Sequence, residues 1–170
     1  MQTREIKLYS LSYLQLKTYL VVFAFLVGNI ALPQLCHLVP GGGLKLLPIY
    51  FFTLIGSYKY GWRVGLLTAV LSPIINNLLF GMPPVAMLPM ILAKSVILAL
   101  VAGFASAKVR RQNLLTFLAI VLVYQVLGTV AEWAMVKDFY VAVQDFRLGI
   151  PGMALQVIGG YCFVKYLMYK

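Results

Sequence analysis

The chain has 170 residues, 62% of them hydrophobic and 11% charged, with a net charge of +10 from 14 basic and 4 acidic residues. Soluble domains carry about a quarter charged residues, so this composition excludes a water-soluble enzyme or nucleic-acid-binding module and points to an integral membrane protein. At about 20 residues per span, the chain holds at most six or seven membrane helices and no second domain.

The first segment, 1–17, has charges but no apolar run before Tyr19 and no small-residue cleavage site. It reads as a cytoplasmic or interfacial segment and not as a signal peptide. Six apolar stretches follow, at 18–38, 44–59, 62–80, 84–107, 113–136 and 149–168. In lipid each backbone amide must be satisfied within its own segment, so these stretches are predicted to be helices. The strict alternation of a membrane β-barrel is absent. The expected fold is an all-α bundle of six transmembrane helices forming one membrane domain, 1–170.

Lysine and arginine placement sets the expected orientation. With both termini in the cytoplasm, the inner side carries Arg4, Lys7, Lys17, Lys59, Arg63, Lys108, Arg110, Arg111, Lys165 and Lys170. The outer side carries only Lys45, Lys137 and Arg147. The outer connections are then 39–43, 81–83 and 137–148, and the longest holds Asp138 and Asp145.

The chain has no G-x-x-x-x-G-K-[ST], no H-E-x-x-H and no G-x-S-x-G. Cys36 and Cys162 are far apart and read as small core residues. The one histidine, His37, has no second ligand nearby in sequence, so neither a metal site nor a cofactor is expected.

What remains is a set of polar residues inside the spans. An ionisable group at membrane depth costs at least about 2.5 kcal/mol and is a functional candidate by default. Lys94 and Glu132 are the two, at similar depths on consecutive antiparallel helices. They form either a structural ion pair or contacts to a polar ligand. Asn76, Asn77 and Gln156 fall in the same outer layer, and Gln125 lies deeper. Each alone suits an interhelical hydrogen bond; as a set they suggest a pocket open outward and closed toward the cytoplasm. Trp133, next to Glu132, is either an interfacial belt residue or a stacking surface for a planar ligand. On the first span Ala24, Gly28 and Ala31 are small residues at helical spacing, suited to internal packing or to a docking face for a partner protein.

These residues resemble the substrate-binding S components of energy-coupling factor (ECF) vitamin transporters over about 18–168, most closely from Pro48 to Gly103. The shared features are a second helix with Gly56 near its end, a third opening Gly61-x-x-x-Gly65, a Gly-x-Pro-Pro connection at Gly81 and a fourth helix ending near Gly103. The resemblance implies an ABC-type importer subunit in a prokaryotic cytoplasmic membrane with no catalysis of its own. It implies a vitamin or related micronutrient bound in the outer part of helices four to six. The first outer connection, with His37, Pro40, Gly41, Gly42 and Gly43, would gate the site. It also implies a transmembrane coupling subunit and two ATPase subunits as partners, docked on the first helix where Ala24 to Gly28 stands for the family's A-x-x-x-A. An intramembrane enzyme acting on a lipid or polyprenyl substrate, with Glu132 as base and Lys94 on a phosphate, is the competing reading. A purely structural membrane subunit is the third. A buried Lys94 favours an anionic ligand such as biotin, pantothenate, lipoate or a folate; full pairing with Glu132 makes a neutral planar ligand as suitable.

Overall fold

A computed structural model describes residues 8–109 and 113–167, and every regular element among them is helical. In chain order these are α1 (Leu16–His37), α2 (Gly42–Leu46), α3 (Phe51–Tyr60), α4 (Trp62–Phe80), α5 (Leu88–Lys108) and α6 (Leu114–Val136). The connection 137–148, expected as a loop, contains two short helices, α7 (Phe139–Ala142) and α8 (Gln144–Leu148). A last rod, 150–167, runs without a break in helical backbone through α9 (Ile150–Ala154) and α10 (Gly160–Cys162), with π-helical turns at Leu155–Gly159 and Phe163–Leu167. Arg4, Lys7, Arg110, Arg111 and Lys170, which enter the orientation argument, lie outside the described residues.

Among the described residues four helices are long and apolar enough to cross a membrane: α1, α4, α5 with its leading turn, and α6. The 22 residues of α1 extend about 33 Å, against a hydrocarbon layer about 30 Å thick. Large apolar side chains such as Phe23, Leu78, Leu115 and Val130 project from the bundle surface. Lipid can cover such a surface; water would penalise it.

The second and sixth expected spans are not simple rods. The stretch 44–59 breaks at Leu47, a non-glycine residue in the left-handed region at φ 47°. Pro48 follows and has no N–H to continue the ladder of α2, so the chain restarts as a 3-10 turn, Pro48–Tyr50, leading into α3. Although short, α3 is central. Residues from Thr53 to Lys59 are all buried, which is why the segment reads as apolar without a polar face. A single residue, Gly61 at φ 96°, turns α3 into α4; a side chain there would be strained. Leu54, Ile55 and Tyr58 of α3 meet Leu98 and Ala102 of α5 and Phe117, Val121 and Tyr124 of α6 in the core. The Tyr58 and Phe117 rings lie 4.6 Å apart. Ahead of α1, Tyr9 and Leu11 donate their backbone N–H groups to the carbonyls of Lys59 and Tyr60, fastening the N-terminal segment to the end of α3.

Beside the packing of Val22, Phe25 and Leu26, a hydrogen-bonded joint holds α1 to this core. Pro33 lies inside α1, and a proline leaves the carbonyl four residues earlier without its helical donor. That carbonyl belongs to Asn29, and Asn76 of α4 donates its side-chain amide to it at 3.0 Å. The Asn29 side chain meanwhile donates to Thr53 at 3.1 Å and Ser72 at 3.0 Å and accepts from the backbone N–H of Phe52. The Asn29 backbone carbonyl and side-chain amide are thereby satisfied inside the bundle by groups of α3 and α4, while the Asn76 side-chain oxygen is buried without a partner.

Candidate functional site

At the end of the bundle that carries α2, α7 and α8, three charged side chains converge. Lys94 sits on α5 with its stem laid along Gly128 of α6; a Cβ on that glycine would lie 2.8 Å from Lys94 Cγ. The absent side chain is what lets a lysine run between α5 and α6. Its ammonium pairs with Glu132 Oε2 on α6 and donates to Asp145 Oδ2 on α8 at 2.5 Å. The side chains are 3%, 13% and 15% exposed, so the cluster is largely withdrawn from solvent. Weakly screened charges of this kind interact strongly but lose much hydration energy. One ammonium against two carboxylates leaves the cluster with a net charge of −1 when all three are ionised.

A neutral hydrogen-bonded chain lies beside it. Tyr124 on α6 donates its hydroxyl to Gln156 Oε1 at 2.7 Å, and Gln156 Nε2 donates to the Leu47 carbonyl at 3.5 Å. Gln156 sits in the first π-helical turn of the rod, a local widening that often re-aims a functional side chain. The ring of Tyr50 packs 5.9 Å from that of Tyr124 and lies within electrostatic reach of Asp145 and Glu132. The first turn of α9 closes against the α2 connection: a Cβ on Gly152 would strike the Leu46 backbone and one on Gly149 the Leu47 side chain.

Gln125 is fully buried, and neither atom of its side-chain amide has a partner. The Thr129 hydroxyl, one turn on, is also buried and unpartnered. Gln125, Gly128, Thr129 and Glu132 follow helical spacing and share one face of α6. Buried polar groups are almost always hydrogen-bonded, so this strip below the ion cluster has capacity the chain itself does not fill.

The expected site residues therefore separate. Lys94, Glu132, Gln125 and Gln156 gather on facing sides of α5, α6 and the rod. Asn76 belongs to the α1–α4 joint, and Asn77 donates to the Pro83 carbonyl at 2.7 Å, closing the turn after α4. Trp133 is half exposed and packs edge-on against Phe139, 5.7 Å between ring centres. His37 covers Gly43, and Gly42 fits beneath the Cys36 carbonyl, so the first connection is tightly folded with Pro40 and Gly41 exposed at its tip. Ala24 and Ala31 lie on the exposed side of α1, whereas a Cβ on Gly28 would meet the Phe52 ring at 2.7 Å; Gly28 serves packing within the chain.

Sequence reasoning missed Asp145, Tyr124 and the Asn29–Thr53–Ser72 group. For Asn29 a signal existed, since Pro33 four residues later frees its carbonyl. Asp145 offered none beyond being one of four acids in the chain. Among the described residues no three of histidine, cysteine, aspartate and glutamate come together as metal ligands would. Compared with known proteins, the chain matches no family model, no curated protein and no solved structure.

Proposed function

We propose that this protein is the substrate-binding S component of an ECF-type importer. On this reading it crosses a prokaryotic cytoplasmic membrane six times, with both termini inside. The segment 48–60 serves as a short central span and the rod 150–167 as the last. The Lys94 layer faces outward and receives a vitamin or similar micronutrient. A transmembrane coupling subunit and two ATPase subunits supply the energy, and the chain performs no catalysis itself.

One observation carries this reading: an ionic and hydrogen-bonding layer, with buried groups still unpartnered at Gln125 and Thr129, enclosed at one end of an apolar bundle. Polar groups at membrane depth are costly and mark substrate pathways; the acid–base cluster stands at one end of the bundle, whereas buried Lys59 at the other end of α3 has no carboxylate beside it among the described residues. The resemblance of 48–103 to S components supplies the class of cargo.

The test is uptake with and without partners. Labelled candidate vitamins should bind the purified chain in detergent without nucleotide, yet accumulate in cells only when the coupling and ATPase subunits are present. Accumulation at full rate by the chain alone would refute the proposal, and turnover of a polyprenyl phosphate by the purified chain would replace it with the enzyme reading.

A further inference from the structure

The ion cluster is one charge out of balance, and that excess bears on what the layer can hold. Resting on the reading of this layer as a binding site, we infer that the bound molecule is a small organic cation, which presents its positive group to Glu132 and Asp145 and a neutral hydrogen-bonding group to Gln125.

Lys94 is the natural anchor for an anionic ligand only while its charge is free. Here its ammonium already holds two carboxylates from two different helices. Among the described residues no other cation pairs with either carboxylate; Arg147, two positions beyond Asp145, is exposed. A ligand carboxylate would take the cluster from −1 to −2, and a phosphate further, in a site nearly shut off from water, where like charges repel strongly. An amine or a ring-nitrogen cation brings it to zero. Both carboxylates keep a small exposed area while Lys94 is almost wholly covered, so the acidic side of the cluster is the approachable one.

The second observation is independent of charge. Gln125 has a donor and an acceptor, both buried and without a partner, on the face of α6 that carries Glu132 and packs against the Lys94 stem. Seven residues separate Gln125 from Glu132, about 10 Å along the helix. The Lys94 stem lies between them over Gly128, so a ligand that bridges the two must move that stem aside, placing its cationic head at the carboxylates and a neutral polar tail at Gln125. An amide side chain recognises such a tail without adding charge.

The experiment is thermal stabilisation and titration of the purified full-length chain in detergent with probes of defined charge. Thiamine and choline serve as cations, biotin and pantothenate as anions, and riboflavin as a neutral molecule. The expected result is a rise in Tm with a cationic probe only. Asp145→Asn, which keeps the shape of the side chain, should weaken that probe at least about tenfold. Asp138→Asn, on the same connection but outside the cluster, should leave it unchanged. Stabilisation by an anionic probe that disappears in Lys94→Met, or by the neutral probe equally in the native chain and Asp145→Asn, would overturn the charge assignment while keeping the binding reading. No stabilisation by any probe at millimolar concentration would overturn both.

Discussion

Lys94 on α5 and Asp145 on α8 stand 51 positions apart in the chain and meet at 2.5 Å. Through that contact the connection between α6 and the last rod is tied to the buried part of the bundle, because the same ammonium also holds Glu132. Three elements, α5, α6 and α8, therefore share one point of attachment. A single substitution at Lys94 releases all of them together.

Lys94→Met should be strongly destabilising, by about 3–5 kcal/mol, since it strands two carboxylates in a poorly hydrated site. Adding Glu132→Gln should recover part of the loss, and adding Asp145→Asn should recover more. Unfolding of the series in mixed micelles checks this order. A single variant as stable as the native chain would show that the cluster is hydrated after all.

The joint at Pro33 predicts a coupling between two helices. Asn76→Ala should cost about 1–3 kcal/mol because the Asn29 carbonyl loses its donor. In a Pro33→Ala background residue 33 regains an N–H and can satisfy Asn29 itself, so the same change should cost less. A double-mutant cycle should therefore return an interaction of about 1 kcal/mol; additive effects would mean that Asn76 acts elsewhere.

Two substitutions on α1 should behave differently despite similar positions. Ala24 is exposed, so Ala24→Trp should leave folding and ligand binding intact while abolishing uptake with the partner subunits. A side chain on Gly28 meets the Phe52 ring, so Gly28→Leu should lower stability by about 1–3 kcal/mol, as overpacking does, with or without partners. Melting curves and uptake measured side by side separate the two outcomes.

The orientation can be read chemically. In a background of Cys36→Ala and Cys162→Ala, Lys45→Cys and Lys137→Cys should react with a membrane-impermeant maleimide added to intact cells. Lys108→Cys should react only after permeabilisation. The reverse pattern would invert the proposed topology and turn the Lys94 layer toward the cytoplasm.

Boundaries were legible where local chemistry sets them. The stretch 62–80 is α4 to the residue, because Gly61 and Gly81 both adopt positive φ and bracket it. A break at Leu47 was signalled by Pro48, which ends the ladder and disfavours helix in the residue before it; the left-handed backbone of Leu47 was not legible and accompanies the packing of α2 against α9. Lys94 and Glu132 stood out because charge is rare in the spans. Asp145 did not, because an acid in a polar connection is unremarkable until the fold carries it back beside α5. The small-residue pattern on α1 was visible, but spacing alone could not say that Gly28 faces Phe52 while Ala24 and Ala31 face outward.

The Asn76 contact also fixes how α1 can move. Displacing α1 by one residue along α4, or rotating it by a fraction of a turn, would pull the Asn29 carbonyl off its donor on Asn76 with hydrocarbon as the alternative solvent. The proline that weakens the internal ladder of α1 thus locks its register against α4. Because Asn29 is bonded to Thr53, Ser72 and Asn76 at once, any shift of α1 has to carry α3 and α4 with it or break those bonds.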